Sequence, residues 1–303
     1  MITNAVFLGS KKFGFEIFKS LLEANSDVTW TVLCPPDFDD SRSNFKDFET
    51  YAQFKNLELI VAPSPDSVLQ HAKTHKPDIM IVCGYYRILS AELFKQVNHG
   101  VFGFHNSLLP KYRGGSPLVW QMINNEPVLG SSLFRFSHGV DDGPLLDQVK
   151  IVNNADLFIG DAMDLIEREW LSKLPTLWQK ICDGQMQLIE QEHDQATYCA
   201  QRQEGDGCID WTESANDVNR FIRAQAHPYP RAFFELNGSR IKIVAHETDA
   251  RKVYGRPGQV FEVRDEYITV CCGDNTVIRI IRVEKGNQCV LAPSVVTSFK
   301  QRF

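Results

Sequence analysis

His105 ends a short apolar run, Val101-Phe102-Gly103-Phe104, and passes directly into Asn106-Ser107-Leu108-Leu109-Pro110-Lys111-Tyr112-Arg113-Gly114-Gly115-Ser116-Pro117, a loop dense in proline, glycine and basic residues. In open α/β sheets ligands gather beyond the carboxyl ends of the strands, and an imidazole placed there suits proton transfer at neutral pH. Asp141 stands 36 residues further on, in Gly139-Val140-Asp141-Asp142-Gly143. A carboxylate delivered beside an imidazole sets its orientation and protonation, although Asp-Asp-Gly is also ordinary turn chemistry. Tyr85 or Tyr86, at the end of another apolar run, adds a third polar group. Ser107 lies in H-N-S-L-L-P rather than in G-x-S-x-G, so there is no nucleophile elbow. Acyl-enzyme hydrolysis is therefore disfavoured, and direct acyl transfer between two bound small molecules stays open.

These residues need a sheet to hold them. Asn4 to Leu8 reads as a strand, followed by Gly9-Ser10 and by Phe13, Phe15, Ile17, Phe18, Leu21 and Leu22 near helical spacing, the opening of a βαβ unit. The Gly9–Gly14 loop lacks the G-x-G-x-x-G fingerprint. Strands are expected at Val28–Cys34, Leu57–Val61, Ile79–Cys83, Val128–Phe136 and Leu145–Val152. Helices are expected at Asp66–His75, with Asp66 as amino-terminal cap, and at Ala91–Val97, Pro117–Asn124 and Asp161–Cys182. Alternating elements with near-continuous apolar strands imply a mostly parallel sheet covered on both faces. Composition turns polar near residues 184–210; beyond it a helix at Ser214–Ala224 precedes short strands at Ile241–Ala245, Gly258–Val263, Tyr267–Cys272 and Val277–Val283, the pattern of a small β-barrel.

Across 303 residues, with 43% hydrophobic and 23% charged side chains, the chain is long enough for two domains. A net charge of −6 provides no electrostatic footprint for nucleic acid. The eight cysteines form no C-x-x-C pair and lack zinc-site spacing, so no metal is expected. No leader-like amino terminus or long apolar run is present, and a reduced, cytoplasmic protein without membrane attachment is expected.

The stretch H-N-S-L-L-P-K-Y-R-G-G-S-P, followed by G-V-D-D-G-P-L-L, closely resembles the 10-formyltetrahydrofolate-dependent formyltransferases, a family that includes methionyl-tRNA and amino-sugar N-formyltransferases. Ala196-Thr197-Tyr198, Ile209-Asp210-Trp211, Ile222-Arg223-Ala224 and Pro228-Tyr229-Pro230-Arg231-Ala232-Phe233 carry the likeness through the rest of the chain, with Arg231 where the family usually has glycine. The resemblance implies a Rossmann-like formyltransferase domain over residues 1–190, a linker over 191–205, and a small OB-like β-barrel over 206–303. It implies catalytic roles for His105 and Asp141. A pocket for 10-formyltetrahydrofolate would be lined by Tyr86, Arg87, Ile88, Leu89, Gly115, Ser137, His138, Gly139, Val140 and Asp141. Ser107, Lys111, Arg113 and Arg202 would face the formyl acceptor, with the basic loop residues and Arg202 alternatively holding local structure. A homodimer is compatible with this picture.

One residue departs from the family pattern: Gly103 stands where an asparagine is usual, two residues before the histidine. Residues 103 and 105 share a strand face, and loss of one donor to a developing oxyanion costs on the order of 10²–10³ in rate. Either Asn106, if the chain bends early, or a water would have to replace the amide, and Gly103→Asn is expected to raise transfer. Formyl hydrolysis and a weakened folate-binding protein are the alternatives. As acceptor, a nucleotide-linked amino sugar is favoured over tRNA, because residues 37–50 hold Asp37, Asp39, Asp40, Asp47 and Glu49 against Arg42 and Lys46, whereas phosphate contacts dominate nucleic-acid affinity.

Overall fold

The structure, a computed structural model, describes residues 2–25, 27–40 and 42–303. The chain forms two compact units. The first comprises residues up to Pro117, Leu129–Ile151 and Asp164–Cys199; the second comprises Leu118–Val128, Val152–Met163 and Ala200–Phe303. The chain crosses for the last time between Cys199 and Ala200.

The first unit is built on a seven-stranded sheet of β1 (Asn4–Leu8), β2 (Thr29–Cys34), β3 (Glu58–Val61), β4 (Ile79–Val82), β5 (Val101–His105), β7 (Val128–Arg135) and β8 (Leu145–Val152), ordered β3-β2-β1-β4-β5-β7-β8. Strands β1 to β5 pair in parallel, and β7 runs antiparallel to β5, with Gly103 opposite Phe134 and His105 opposite Ser132. The order reverses between β2 and β4, on either side of β1, which is the switch point of the sheet.

Strand alternation divides the core. One face gathers Val6, Leu8, Leu33, Met80, Val82 and Val101 against Val68, Leu69 and Ala72 of helix α3 (Pro65–His75) and Leu93 of the short α4 (Ala91–Phe94), with Tyr85 and Phe136 packed on the same cluster. The opposite face is aromatic. Phe7 stacks on Phe18 of α1 (Lys12–Ala24) and on Phe48 of α2 (Phe45–Lys55), while Phe104 meets Trp170 of α6 (Ile159–Cys182) edge to face. Helix α6 buries Ile166, Trp170, Leu174 and Trp178 at a spacing of four, the expected core stripe.

The β1–α1 loop contains glycines for close approach rather than for a dinucleotide. A Cβ on Gly9 would lie 1.9 Å, and one on Gly14 2.5 Å, from the Cys83 carbonyl at the end of β4. Helix α3 is capped by Ser64, not by Asp66: the Ser64 and Ser67 side chains satisfy each other's backbone N–H in a capping box, and Asp66 sits in the first turn. Helix α4 ends at Phe94, short of the expected Val97. Helix α2 was not anticipated, because its acidic surroundings masked buried Phe45, Phe48 and Ala52.

The second unit carries an antiparallel sheet of β10 (Phe233–Leu236), β11 (Ser239–Asp249), β12 (Val260–Val263), β13 (Ile268–Cys271), β14 (Val277–Lys285) and β15 (Gln288–Leu291). The small barrel expected from the short strands is present as a curled antiparallel sheet, a half-barrel. Register shifts at Ala245 locate irregularities in the long β11–β14 pairing, where bulges bend strands. Helix α7 (Ala215–Ala224), capped by Ser214, supplies Val218 and Ile222 to the core with Trp211, Phe234 and Ile280. Within the same unit buried Arg223 donates from Nη1 to the Leu157 carbonyl at 2.6 Å, which explains an arginine in the Ile222-Arg223-Ala224 segment. No helix among the described residues is long and apolar enough to cross a membrane.

Candidate functional site

The loop expected to carry the chemistry is assembled around His105, the last residue of β5. The chain bends at once, with the Ser107 N–H donating to the His105 carbonyl at 2.8 Å. Ser107, fully buried, donates from Oγ to the Lys111 carbonyl (2.6 Å), and its own carbonyl accepts from Ser132 Oγ of β7 (2.6 Å). The loop then forms β6 (Arg113–Gly114), which pairs in parallel with β9 (Tyr198–Cys199). Tyr112 N donates to Thr197 Oγ1 and Gly115 N to the Cys199 carbonyl. The segment expected as a linker is, over residues 191–199, a strap bound to this loop.

His105 is buried and held at both nitrogens. Nε2 lies 2.7 Å from the Tyr112 carbonyl, which only accepts, so Nε2 carries a proton. Nδ1 faces Asp141 Oδ2 at 3.5 Å, longer than a hydrogen bond but a close electrostatic contact. The sequence-predicted pair is therefore brought together, with Nδ1 as the nitrogen turned toward the carboxylate. Asp141 does not extend a strand tip. It lies in the loop that doubles back after the antiparallel β7, in left-handed backbone (φ 50°) that a non-glycine residue adopts only under constraint. Its Oδ2 also accepts from Gly114 N at 2.8 Å.

The residue missing before His105 is replaced by a ring. A Cβ on Gly103 would stand 2.2 Å and 2.4 Å from ring carbons of Phe136. Phe136 packs edge-on against Phe94 and at a tilt against Phe134, and Phe134 lies edge-on to His105. Neither a water nor an asparagine fits there while Phe136 keeps this position, so the expectation that Gly103→Asn alone would raise transfer is withdrawn.

The remaining predicted residues separate into three groups. Ile88, His138, Gly139 and Val140 are exposed, and Leu89 is buried in the cluster that also holds Tyr85 and Phe136. Ser137 Oγ donates to Asp142, which closes the turn around Gly139. Tyr86 lies under the cations of Lys11 and Arg42, and Arg87 donates to the Pro63 carbonyl. Of the acceptor-facing residues, Lys111 is exposed. Arg113 is only 2% exposed, bonded to Gln191, Tyr198 and His193, and like Ser107 belongs to the frame of the loop. Arg202, in the second unit, is stacked on Trp120 and Phe221 and donates to the Asp206 carbonyl.

The flank of the site holds one sheltered polar atom among apolar side chains. Tyr85 Oη is shielded from solvent with no hydrogen-bond partner, beside apolar Leu89 and Phe136, while Ile88 and Val140 project from the flanking loops at 91% and 59% exposure. Burial pushes the Tyr85 phenol upward, so it remains a neutral hydroxyl able to donate and accept. Cys199 is likewise a thiol at neutral pH, pushed up to about 11 by burial and by the nearby Asp141 charge. Its Sγ lies 3.6 Å from the same Tyr112 carbonyl that receives His105. Sequence reasoning overlooked Gln191, Thr197 and Cys199; the single signal available was their polar spacing beside Ala196-Thr197-Tyr198.

Residues 4–164 match the family model described as formyl transferase, and residues 202–299 match the formyl transferase C-terminal domain. The chain is 30% identical over 279 residues to a methionyl-tRNA formyltransferase from Acetivibrio thermocellus, covering 90% of this chain and 89% of that one. It is 28% identical over 283 residues to a methionyl-tRNA formyltransferase from Clostridium botulinum, covering 90% and 89%. In fold it is similar to an N-formyltransferase from Helicobacter canadensis solved with folinic acid and dTDP-3-aminofucose (TM-score 0.69, 19% identity, 93% of this chain and 99% of that one). It is also similar to HypX from Aquifex aeolicus solved with tetrahydrofolic acid, of which it spans about half the length (TM-score 0.66, 15% identity, 99% and 48%).

Proposed function

The chain belongs to the formyl transferase family, and on that premise we propose that it moves a formyl group from 10-formyltetrahydrofolate to a primary amine of a nucleotide-linked amino sugar. The observation that carries the reading is the His105–Asp141 contact in a loop framed on every side by hydrogen bonds. When bound, the folate supplies a formyl carbon at the oxidation level of an amide. The chain contributes proton handling. With Nε2–H donated to the Tyr112 carbonyl, Nδ1 is the basic nitrogen: it takes the proton that the amine sheds as the new C–N bond forms, and returns it to the folate N10 as the C–N10 bond breaks. The imidazolium then gains the Asp141 charge at 3.5 Å. Tyr85 to Leu89 and residues 137–141 hold the pterin edge, and Lys111 supplies a cation for a diphosphate.

The choice of acceptor rests on residues 37–50. Asp37 and Asp40 are drawn inward onto Lys11 (2.9 and 2.7 Å), and Arg42 is held on Asp40. That leaves Lys46 as the cation of a segment that carries three further carboxylates, Asp39, Asp47 and Glu49, a poor surface for the phosphates of tRNA. The tRNA reading retains the support of the two sequence relatives named above. Hydrolysis to formate is the second reading, supported by Phe136 standing where an amide donor would be.

The test is tetrahydrofolate formation from 10-formyltetrahydrofolate, measured alone, with a dTDP-3-amino sugar, and with charged initiator tRNA. Turnover that appears only with the amino sugar supports the proposal. Equal turnover without any acceptor supports hydrolysis, and stimulation by tRNA alone overturns the choice of acceptor.

A further inference from the structure

We infer that Gln191 is a positioning residue for the catalytic carboxylate, tying the Asp141 turn to the His105 loop through a single side-chain amide. The inference rests on the catalytic reading of His105 and Asp141. Gln191 lies outside the strands and helices, in the segment that sequence analysis assigned to a linker, yet it is 5% exposed and uses both ends of its carboxamide. Nε2 donates to the carbonyls of Asp141 (2.9 Å) and Gly143 (2.6 Å). Oε1 accepts from Nε (3.2 Å) and Nη2 (2.7 Å) of Arg113. Both amide hydrogens and the oxygen are thus engaged, and the two partners belong to the two loops that carry the catalytic pair.

The geometry explains why an amide is needed. Asp141 is left-handed at φ 50°, an unfavourable conformation that persists only where surrounding bonds hold it. The Gln191 N–H donors hold the carbonyl of Asp141 and that of Gly143, one on each side of Asp142. The Asp141 carboxylate is held separately by Gly114 N, and Gly114 follows the residue whose guanidinium Gln191 receives. A glutamate of the same length keeps the Arg113 contact and strengthens its charge, but opposes two carbonyls with lone pairs. A methionine keeps the volume and removes every bond. The amide alone serves both sides.

Three variants and two readouts decide the matter. The first readout is the Gly114 backbone amide resonance, a reporter of the Asp141 bond that needs neither substrate nor turnover. The second is steady-state turnover with 10-formyltetrahydrofolate and the dTDP-3-amino sugar. Gln191→Met, Gln191→Ala and Gln191→Glu are each expected to move the Gly114 amide upfield and to lower kcat tenfold to about a hundredfold, with KM for the folate within twofold, because a misplaced catalytic group costs rate rather than affinity. In Gln191→Glu the carboxylate, ionised beside Arg113, has no donor for the Asp141 and Gly143 carbonyls, so its deficit in kcat is expected to match that of Gln191→Met. A merely structural tie to Arg113 predicts instead that Gln191→Glu behaves as the parent. Unchanged Gly114 resonances, or a Gln191→Glu chain with parental kcat, overturns the inference. Should the parent show no turnover with the sugar, the proposed acceptor fails, while the amide resonance still decides the role of Gln191.

Discussion

At residue scale, the proposed transfer hangs on one imidazole. His105 is oriented by a backbone carbonyl on Nε2 and by a carboxylate on Nδ1, and neither contact depends on its neighbour at 103. His105→Ala is therefore expected to lower turnover by about 10²–10⁴-fold while tetrahydrofolate still binds, as measured by calorimetry; unaltered turnover removes the residue from the reaction. Gly103 and Phe136 form a complementary pair, the small residue made necessary by the ring beside it. Gly103→Asn alone is expected to destabilise the fold by about 1–3 kcal/mol through overpacking. With Phe136→Ala added, the amide is expected to seat and raise transfer above that of Phe136→Ala alone, by up to about a hundredfold. A double variant no faster than Phe136→Ala would show that no oxyanion is served from this position. That His105 and Asp141 come together was legible in the sequence, through a strand-end imidazole and the family resemblance. Phe136 was not, because its meaning depends on which face of β7 meets β5, and 33 residues separate it from Gly103.

At element scale, the sheet was readable because its strands are apolar throughout and its turns are marked by glycine and proline. Helix α2 was hidden by its charge: five carboxylates over residues 37–50 suggested a loop, whereas Asp37 and Asp40 fold back onto Lys11 and release the segment after Asn44 to form a helix. The strap at residues 191–199 was hidden for another reason. Its two-residue pairing of β9 with β6 is too short to leave a periodic signal, and its polar side chains look like those of a linker. The β1–α1 loop offers a test at this scale. Because Gly9 abuts the Cys83 carbonyl, Gly9→Ala is expected to cost about 1–3 kcal/mol in denaturant unfolding. A variant as stable as the parent would mean that the loop yields without loss.

At the scale of the molecule, one half-buried imidazole is expected to make the stability of the second unit depend on pH. His246 donates from Nε2 to Asn219 Oδ1 at 2.7 Å and packs edge-on against Phe158. Burial, and then the Arg223 charge, push its protonation down to about 4 from an ordinary value of 6.5. A base whose folded value is lowered binds more protons when unfolded, so stability is complete above about pH 6.5 and declines toward pH 4. The loss is on the order of 3 kcal/mol. His246→Gln is expected to flatten that part of the profile in urea unfolding monitored by tryptophan fluorescence, and an unchanged slope would refute the assignment.

The most direct measurement follows the formyl carbon itself. The protein is incubated with 10-formyltetrahydrofolate labelled at the formyl group and a dTDP-3-amino sugar, and the product is separated by chromatography. The proposed transfer places label in the sugar amide with the parent chain and loses it almost completely with His105→Ala. Label recovered only as formate, or label reaching the sugar equally well without His105, would contradict it.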